Sequence, residues 1–277
     1  VDYGAVEFGM VKASELLAAW HPDVAVGDIL TLGDVELVAL PFSEATDWFD
    51  FRGAFGEDCI LFIDPESVDT GTKTRIVRMG DPRPAENIRI CVLPDATDLV
   101  INIGGDDSTI FLGRLADPFS GFLNAWQGSN IAIGDDATCN GARIICENSE
   151  VVIGADSMLS DELILQSTDQ HDLLDLSTGT IIHQGRRSIR IGRHVWIGRR
   201  AMIMPDTTIG AGSIVGGGSI VKGLFEPCIA CAGNPAKVVR EQVTWLRERA
   251  TVGPNEVAFL VDTMGSFEPE ETDGQGG

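Results

Sequence analysis

A six-residue period runs through the second half of the chain and leaves few folds open to it. Branched aliphatic residues recur at Ile191, Ile197, Ile203, Ile209, Val215 and Val221, in the register IGRHVW, IGRRAM, IMPDTT, IGAGSI, VGGGSI, VKGLFE. Four of these six are followed by glycine, and the fifth position of the first five hexads holds Val195, Ala201, Thr207, Ser213 and Ser219, all small or β-branched. A period of six with one large and one small inward position suits neither a helix of 3.6 residues per turn nor plain strand alternation. It suits a triangular coil in which each hexad gives a short strand and a corner, and three hexads make one turn of about 18 residues. Ile191 then stacks on Ile209, Ile197 on Val215 and Ile203 on Val221. Glycine after the aliphatic residue relieves crowding at the corner.

The period continues upstream with interruptions, at Ile133, Cys139 and Ile145, then at Ile153, Leu159 and Leu165. INIGGDDSTIFLGRL and SNIAIGDDATC read as looser coils. The expected architecture is therefore all-β: a parallel β-helix over residues 88–240, preceded by a small β-rich domain or cap over 1–87. Residues 241–277 are expected to hold a C-terminal helix and an acidic tail. The spacing of Val239, Val243 and Leu246 in AKVVREQVTWLRERA suggests an amphipathic helix there.

The formal charge of -22, from 42 acidic and 20 basic residues, argues against a nucleic-acid or anionic-membrane surface. Six arginines (Arg186, Arg187, Arg190, Arg193, Arg199 and Arg200) break the trend by clustering in one short stretch. They read either as a solvated face or as an attractor of an anion, such as coenzyme A phosphates or an acidic glycan. No apolar run of about 18 residues is present to span a bilayer, so the chain reads as soluble. It begins at Val1 without an initiator methionine, which leaves processing or a lost upstream segment open. The six scattered cysteines fit a reducing, cytoplasmic setting. Cys228 and Cys231 have a spacing that would suit a metal, but without a second pair or histidines they read as small buried thiols.

Between Leu165 and Ile191 the period fails, so the chain must leave the coil within QSTDQHDLLDLSTGTIIHQGRRSIR. Excursions from a rigid scaffold concentrate function. This one carries Asp169, His171, Asp172, Asp175 and His183, including two of the four histidines. A histidine flanked by carboxylates can be held in one tautomer and kept basic enough to take a proton near neutral pH.

STDQHDLLDLSTG followed by IRIGRHVWIG, the hexad run and IACAGNPAKVVRE resembles the hexapeptide-repeat sugar O-acetyltransferases of bacterial capsule, lipopolysaccharide and exopolysaccharide pathways, over roughly residues 88–241. The resemblance implies a left-handed coil, a homotrimer with sites in the grooves between prisms, acetyl-coenzyme A as co-substrate without a metal, and a sugar or glycan acceptor. It implies His171 as general base, Asp169 as its orienting partner with Asp172 as second choice, and Trp196 as a wall of the acceptor groove. Gly198 is the expected backbone donor to the oxyanion. Gly216 and Gly217 would let the pantetheine arm approach the coil, with Lys222, Asn234, Pro235, Ala236 and Lys237 near the adenine and phosphates. The family often has asparagine where this chain has His183, which points to an acceptor-binding role there, and Phe225 stands where a polar residue is usual.

Three other readings are open to such a chain. An N-acetyltransferase acting on an amino sugar would use the same histidine geometry. A β-helix carbonic anhydrase needs three histidines around zinc, and His21, His171, His183 and His194 have the wrong spacing. A non-catalytic trimeric scaffold would not need the Asp-x-His pair.

Overall fold

The structure, a computed structural model, describes residues 26–32, 35–64, 74–93, 99–182 and 185–265. Parallel strands wind into a β-helix of about seven turns. In the C-terminal coils the hexads pair as their spacing requires: Ile191 on Ile209, Ile197 on Val215 and Ile203 on Val221. Each of these side chains is buried in one continuous core, and burial of such a side chain is worth about 1.5–3 kcal/mol. The small fifth positions Val195, Ala201, Thr207, Ser213 and Ser219 are buried as well. Their hydroxyls serve the corners: Ser219 donates to the Gly216 carbonyl at 2.7 Å and Thr207 to that of Met204 at 2.7 Å.

The corner glycines are required by contact between coils. A Cβ on Gly154, Gly192 or Gly210 would lie 2.4, 2.6 or 2.3 Å from the backbone nitrogen of Arg193, Ala211 or Pro227 on the following coil. No side chain fits at such a separation.

Three expectations need correction. Parallel pairing does not wait for residue 88: Asp50–Arg52 already pairs with Arg75–Arg78, and Ile60–Ile63 with Ile88–Val92. The core is continuous from Phe42 to Cys231, and an antiparallel pair caps it: Ile29–Leu32 pairs with Val35–Pro41, which in turn pairs onto Ile60–Ile63. The early coils are longer than 18 residues, so Leu61 stacks on Ile90 and Ile76 on Ile101, and no hexad survives in the sequence.

Second, Ile144 rather than Ile145 points inward and stacks on Leu165, because the strand Thr138–Cys146 shifts register between Cys139 and Ala142. Third, Ala236–Glu241 is a strand and not a helix. It folds back antiparallel on Ile229–Gly233, as its β-branched Val238 and Val239 favour after the Asn234-Pro235 turn. The C-terminal helix lies further on, at Pro254–Met264, with proline in its first turn and Gly265 in the left-handed conformation at its end.

Between that strand and that helix an arm runs back over the coils. Val243 N–H donates to the Cys228 carbonyl at 2.9 Å and Thr244 Oγ1 to that of Gly212 at 2.8 Å. Arg247 reaches Thr138 at 2.9 Å and Asp156 at 2.8 Å, and Phe259 of the helix is buried. No helix among the described residues is long and apolar enough to cross a membrane.

Candidate active site

The chain leaves the coil after Ser167 and rejoins it at Arg187, so that Ile153 pairs across the excursion with Ile191. Within it, Leu173–Asp175 and Thr180–Ile182 form a small antiparallel hairpin. Asp175 ties the turn by accepting hydrogen bonds from Ser177 Oγ at 2.6 Å, Ser177 N at 2.7 Å and Thr178 N at 3.2 Å. These bonds, that of the Ser177 side chain foremost, hold its carboxyl below the usual value, and they assign it to the turn. The hairpin presents apolar side chains outward: Leu173, Leu174, Ile181 and Ile182 are exposed, and Leu176 is 90% exposed.

His171 sits at the foot of this hairpin, after Gln170, whose φ of 59° turns the chain, and it is exposed. It lines an open cleft of about 240 Å³ with Glu147, Asn148, Thr168, Gln170, Asp172, Gly185 and Arg187. Asp169 is beside it in sequence, but its Oδ2 accepts from Arg187 at 3.2 Å, and Arg187 also lies 3.6 Å from Asp206. The structure thus joins Asp169 to the cleft through Arg187 and not through a bond to His171. Asp172 lines the cleft directly. His183 lies outside the described residues.

The remaining expected site residues do not line this cleft. Trp196 pairs with Met158 and Ile214, is 36% exposed, and donates Nε1–H to Ser160 Oγ at 3.3 Å. The Gly198 N–H is spent in the ladder, donating to the Val215 carbonyl at 2.8 Å, and so it has no proton to offer an oxyanion. Gly216 N–H likewise donates to Cys231 at 2.8 Å, while Gly217 forms part of an exposed turn. Lys222 is exposed beside the buried Val221, and Asn234, Pro235, Ala236 and Lys237 form the hairpin at the end of the last coil. A single chain therefore brings His171, Asp169 and Arg187 together and leaves Trp196 and the 216–237 group apart from them.

Sequence reasoning missed Glu147 and Asn148, which the coil packing delivers from distant positions, and it read Arg187 only as one of the arginine cluster. It also missed His194, which is buried against Asp156 and Trp245. Among the described residues no three His, Cys, Asp or Glu side chains converge as metal ligands. The cysteines are unpaired, and burial pushes the Cys231 thiol up to about 11.

The family model of the bacterial transferase hexapeptide (six repeats) matches residues 188–223, which are the coils with the strict period. The chain is a parallel β-helix, and this stretch of it carries the hexapeptide repeat. This repeat protein is 37% identical over 128 residues to a polysialic acid O-acetyltransferase of Escherichia coli O1:K1 / APEC, a stretch that is 46% of this chain and 41% of that one. It thus spans about two fifths of that relative's length. Its fold is similar to that of the polySia-specific acetyltransferase NeuO, with a TM-score of 0.67 at 23% identity over 79% of this chain and 95% of the other. The polysialic acid O-acetyltransferase OatWY gives 0.58 at 21% identity, over 76% and 98%.

Proposed function

We propose that this β-helix transfers an acetyl group from acetyl-coenzyme A to a hydroxyl of a sugar in an acidic polysaccharide. The observation that carries the reading is the exposed His171 at the mouth of a polar cleft, on a segment that departs from the repeat. The similarity to a polysialic acid O-acetyltransferase supports the choice of acceptor class. In the reaction the acceptor oxygen attacks the thioester carbonyl while its proton passes to a ring nitrogen of His171. Collapse of the tetrahedral intermediate breaks the carbon–sulfur bond, and the same proton is then available to the leaving thiolate. Arg187 and Asp169 would fix the bend that carries His171. The chemistry uses no metal.

A homotrimer fits this reading. The exposed leucines and isoleucines of the hairpin suit burial against a second copy, and Trp196 and the 216–237 group need a neighbouring chain to meet His171. The pantetheine arm would follow Gly216 and Gly217, with Lys222, Asn234, Pro235, Ala236 and Lys237 toward the nucleotide end and His183 toward the acceptor. Unpaired buried thiols and the need for acetyl-coenzyme A favour the cytoplasm.

Five arginines of the cluster are neutralised by carboxylates, and Arg186, which is not, supports an anionic acceptor. Arg187, Arg190, Arg193, Arg199 and Arg200 pair with Asp169, Glu150, Asp262, Asp161 and Glu162. Arg186 instead donates to the carbonyls of Gly128 and Ser149, at 3.3 and 3.4 Å, and has no carboxylate partner among the described residues. The test is thiol release from acetyl-coenzyme A with polysialic acid, with a carboxyl-reduced form of the same polymer, and with amino sugars. Release with the acidic polymer supports the proposal, and Arg186→Gln should raise KM for it by roughly tenfold while leaving the reduced polymer unaffected. Release with amino sugars alone would favour N-acetyl transfer, and the absence of both release and coenzyme A binding would favour a scaffold.

A further inference from the structure

The side chain of His194 is 1% exposed and faces two hydrogen-bond acceptors. Its Nδ1 lies 2.7 Å from Asp156 Oδ2, and its Nε2 lies 3.1 Å from the backbone carbonyl oxygen of Trp245. A carbonyl oxygen has no proton to give. Burial alone would push the Asp156 carboxyl up, but hydrogen bonds from His194 and Arg247 outweigh it and hold the group below its usual value, so this partner is a carboxylate. Each ring nitrogen must then be the donor, and an imidazole that donates from both nitrogens is an imidazolium.

The surroundings suit a cation. The Trp245 indole stacks on the ring with centroids 4.5 Å apart and planes within 9°, and Phe259 covers it at 4.7 Å. The charged groups around the cluster are mixed. Asp156 and Asp136 lie on the coils, Glu256 accepts from the Arg247 N–H on the helix side, and the guanidinium groups of Arg247 and Arg193 sit over Trp245 and Phe259 at 5.4 and 5.1 Å. The carboxylates favour a charged ring and the guanidinium groups oppose it. Only the two short acceptor contacts touch its nitrogens.

Trp245 returns the contact by donating Nε1–H to the His194 carbonyl at 2.8 Å. Its ring also lies 6.3 Å from that of Trp196, tilted by 48°, so that it stands behind the exposed indole expected to wall the acceptor groove.

We infer that His194, carried as an imidazolium, is a positioning residue for acetyl transfer: it clamps the C-terminal arm through Trp245 and thereby fixes Trp196. This rests on the reading of Trp196 as an acceptor-site residue. A neutral ring can satisfy only one of its two acceptors, so loss of the proton releases either Asp156 or the arm.

The first measurement uses the native chain with labelled histidine. A long-range proton–nitrogen spectrum at neutral pH should show both His194 nitrogens protonated, the signal being assigned by its loss in His194→Gln. One bare nitrogen would overturn the inference without reference to turnover. The second measurement compares acceptor and donor kinetics. In His194→Gln the acceptor KM should rise roughly tenfold with the acetyl-coenzyme A KM unchanged. A folded variant with native acceptor KM would sink the positioning role. If the native chain transfers acetyl to nothing, the functional reading fails, while the Trp196 indole N–H resonance still decides: it should shift in His194→Gln, and an unmoved resonance would refute the clamp.

Discussion

His171→Ala is expected to lower kcat/KM for acetyl transfer by about 10²–10⁴-fold, the range spanned by loss of a positioned general base. The side chain is exposed at the cleft and contributes nothing to the core, so the variant should fold as the native chain does. Its melting temperature and its KM for acetyl-coenzyme A should be unchanged, which separates loss of a base from loss of structure. Asp169→Asn should do less. The carboxylate engages Arg187 and not the imidazole, so removing its charge loosens the bend without stripping the base of a partner. A His171→Ala chain that retained the native rate would remove the general-base assignment, and the attacking hydroxyl would then need another proton acceptor, of which Asp172 in the same cleft is the nearest in sequence.

The excursion that carries His171 was legible because arithmetic fails there: the distance from Leu165 to Ile191 is not a whole number of hexads, and a break in a rigid repeat announces itself. The stacking of Ile191, Ile197 and Ile203 on their partners was legible for the same reason, since each coil there holds 18 residues. The N-terminal coils were not, because longer and unequal turns erase the period while keeping the inward columns, as Leu61 on Ile90 shows. The helix expected over AKVVREQVTWLRERA came from apolar spacing alone, and a hairpin partner in Ile229–Gly233 overrode it. The resemblance implied Asp169 as the partner of His171, and in the structure its carboxylate accepts from an arginine 18 positions away, which no local pattern announces. The His194 clamp joins residues 38 and 51 positions apart, and only the stacking of coils brings them together.

The same stacking sets the second large effect, which is on stability. Ile203→Ala should cost about 2–5 kcal/mol, toward the upper end of that range for a buried aliphatic residue. The cost of such a truncation depends on how far the surroundings can collapse into the space. Here they cannot: Ile203 lies between Leu165 above and Val221 below, fully buried, and the coils are held at the fixed spacing of hydrogen-bonded strands, about 4.8 Å. Gly192→Ala tests the same rigidity from the opposite direction, because its new Cβ would lie 2.6 Å from the Ala211 nitrogen, which belongs to backbone and cannot swing aside. Overpacking of this kind costs about 1–3 kcal/mol. Urea titration of the two variants should show lowered midpoints in that order, Ile203→Ala below Gly192→Ala. Amide exchange should rise first in the coils flanking each substitution, since each coil of a solenoid is supported only by its neighbours. Native midpoints for both would mean that the coils can part and close around a misfit, and the inward columns would then be a loosely filled interior without the close packing that the pairing register implies.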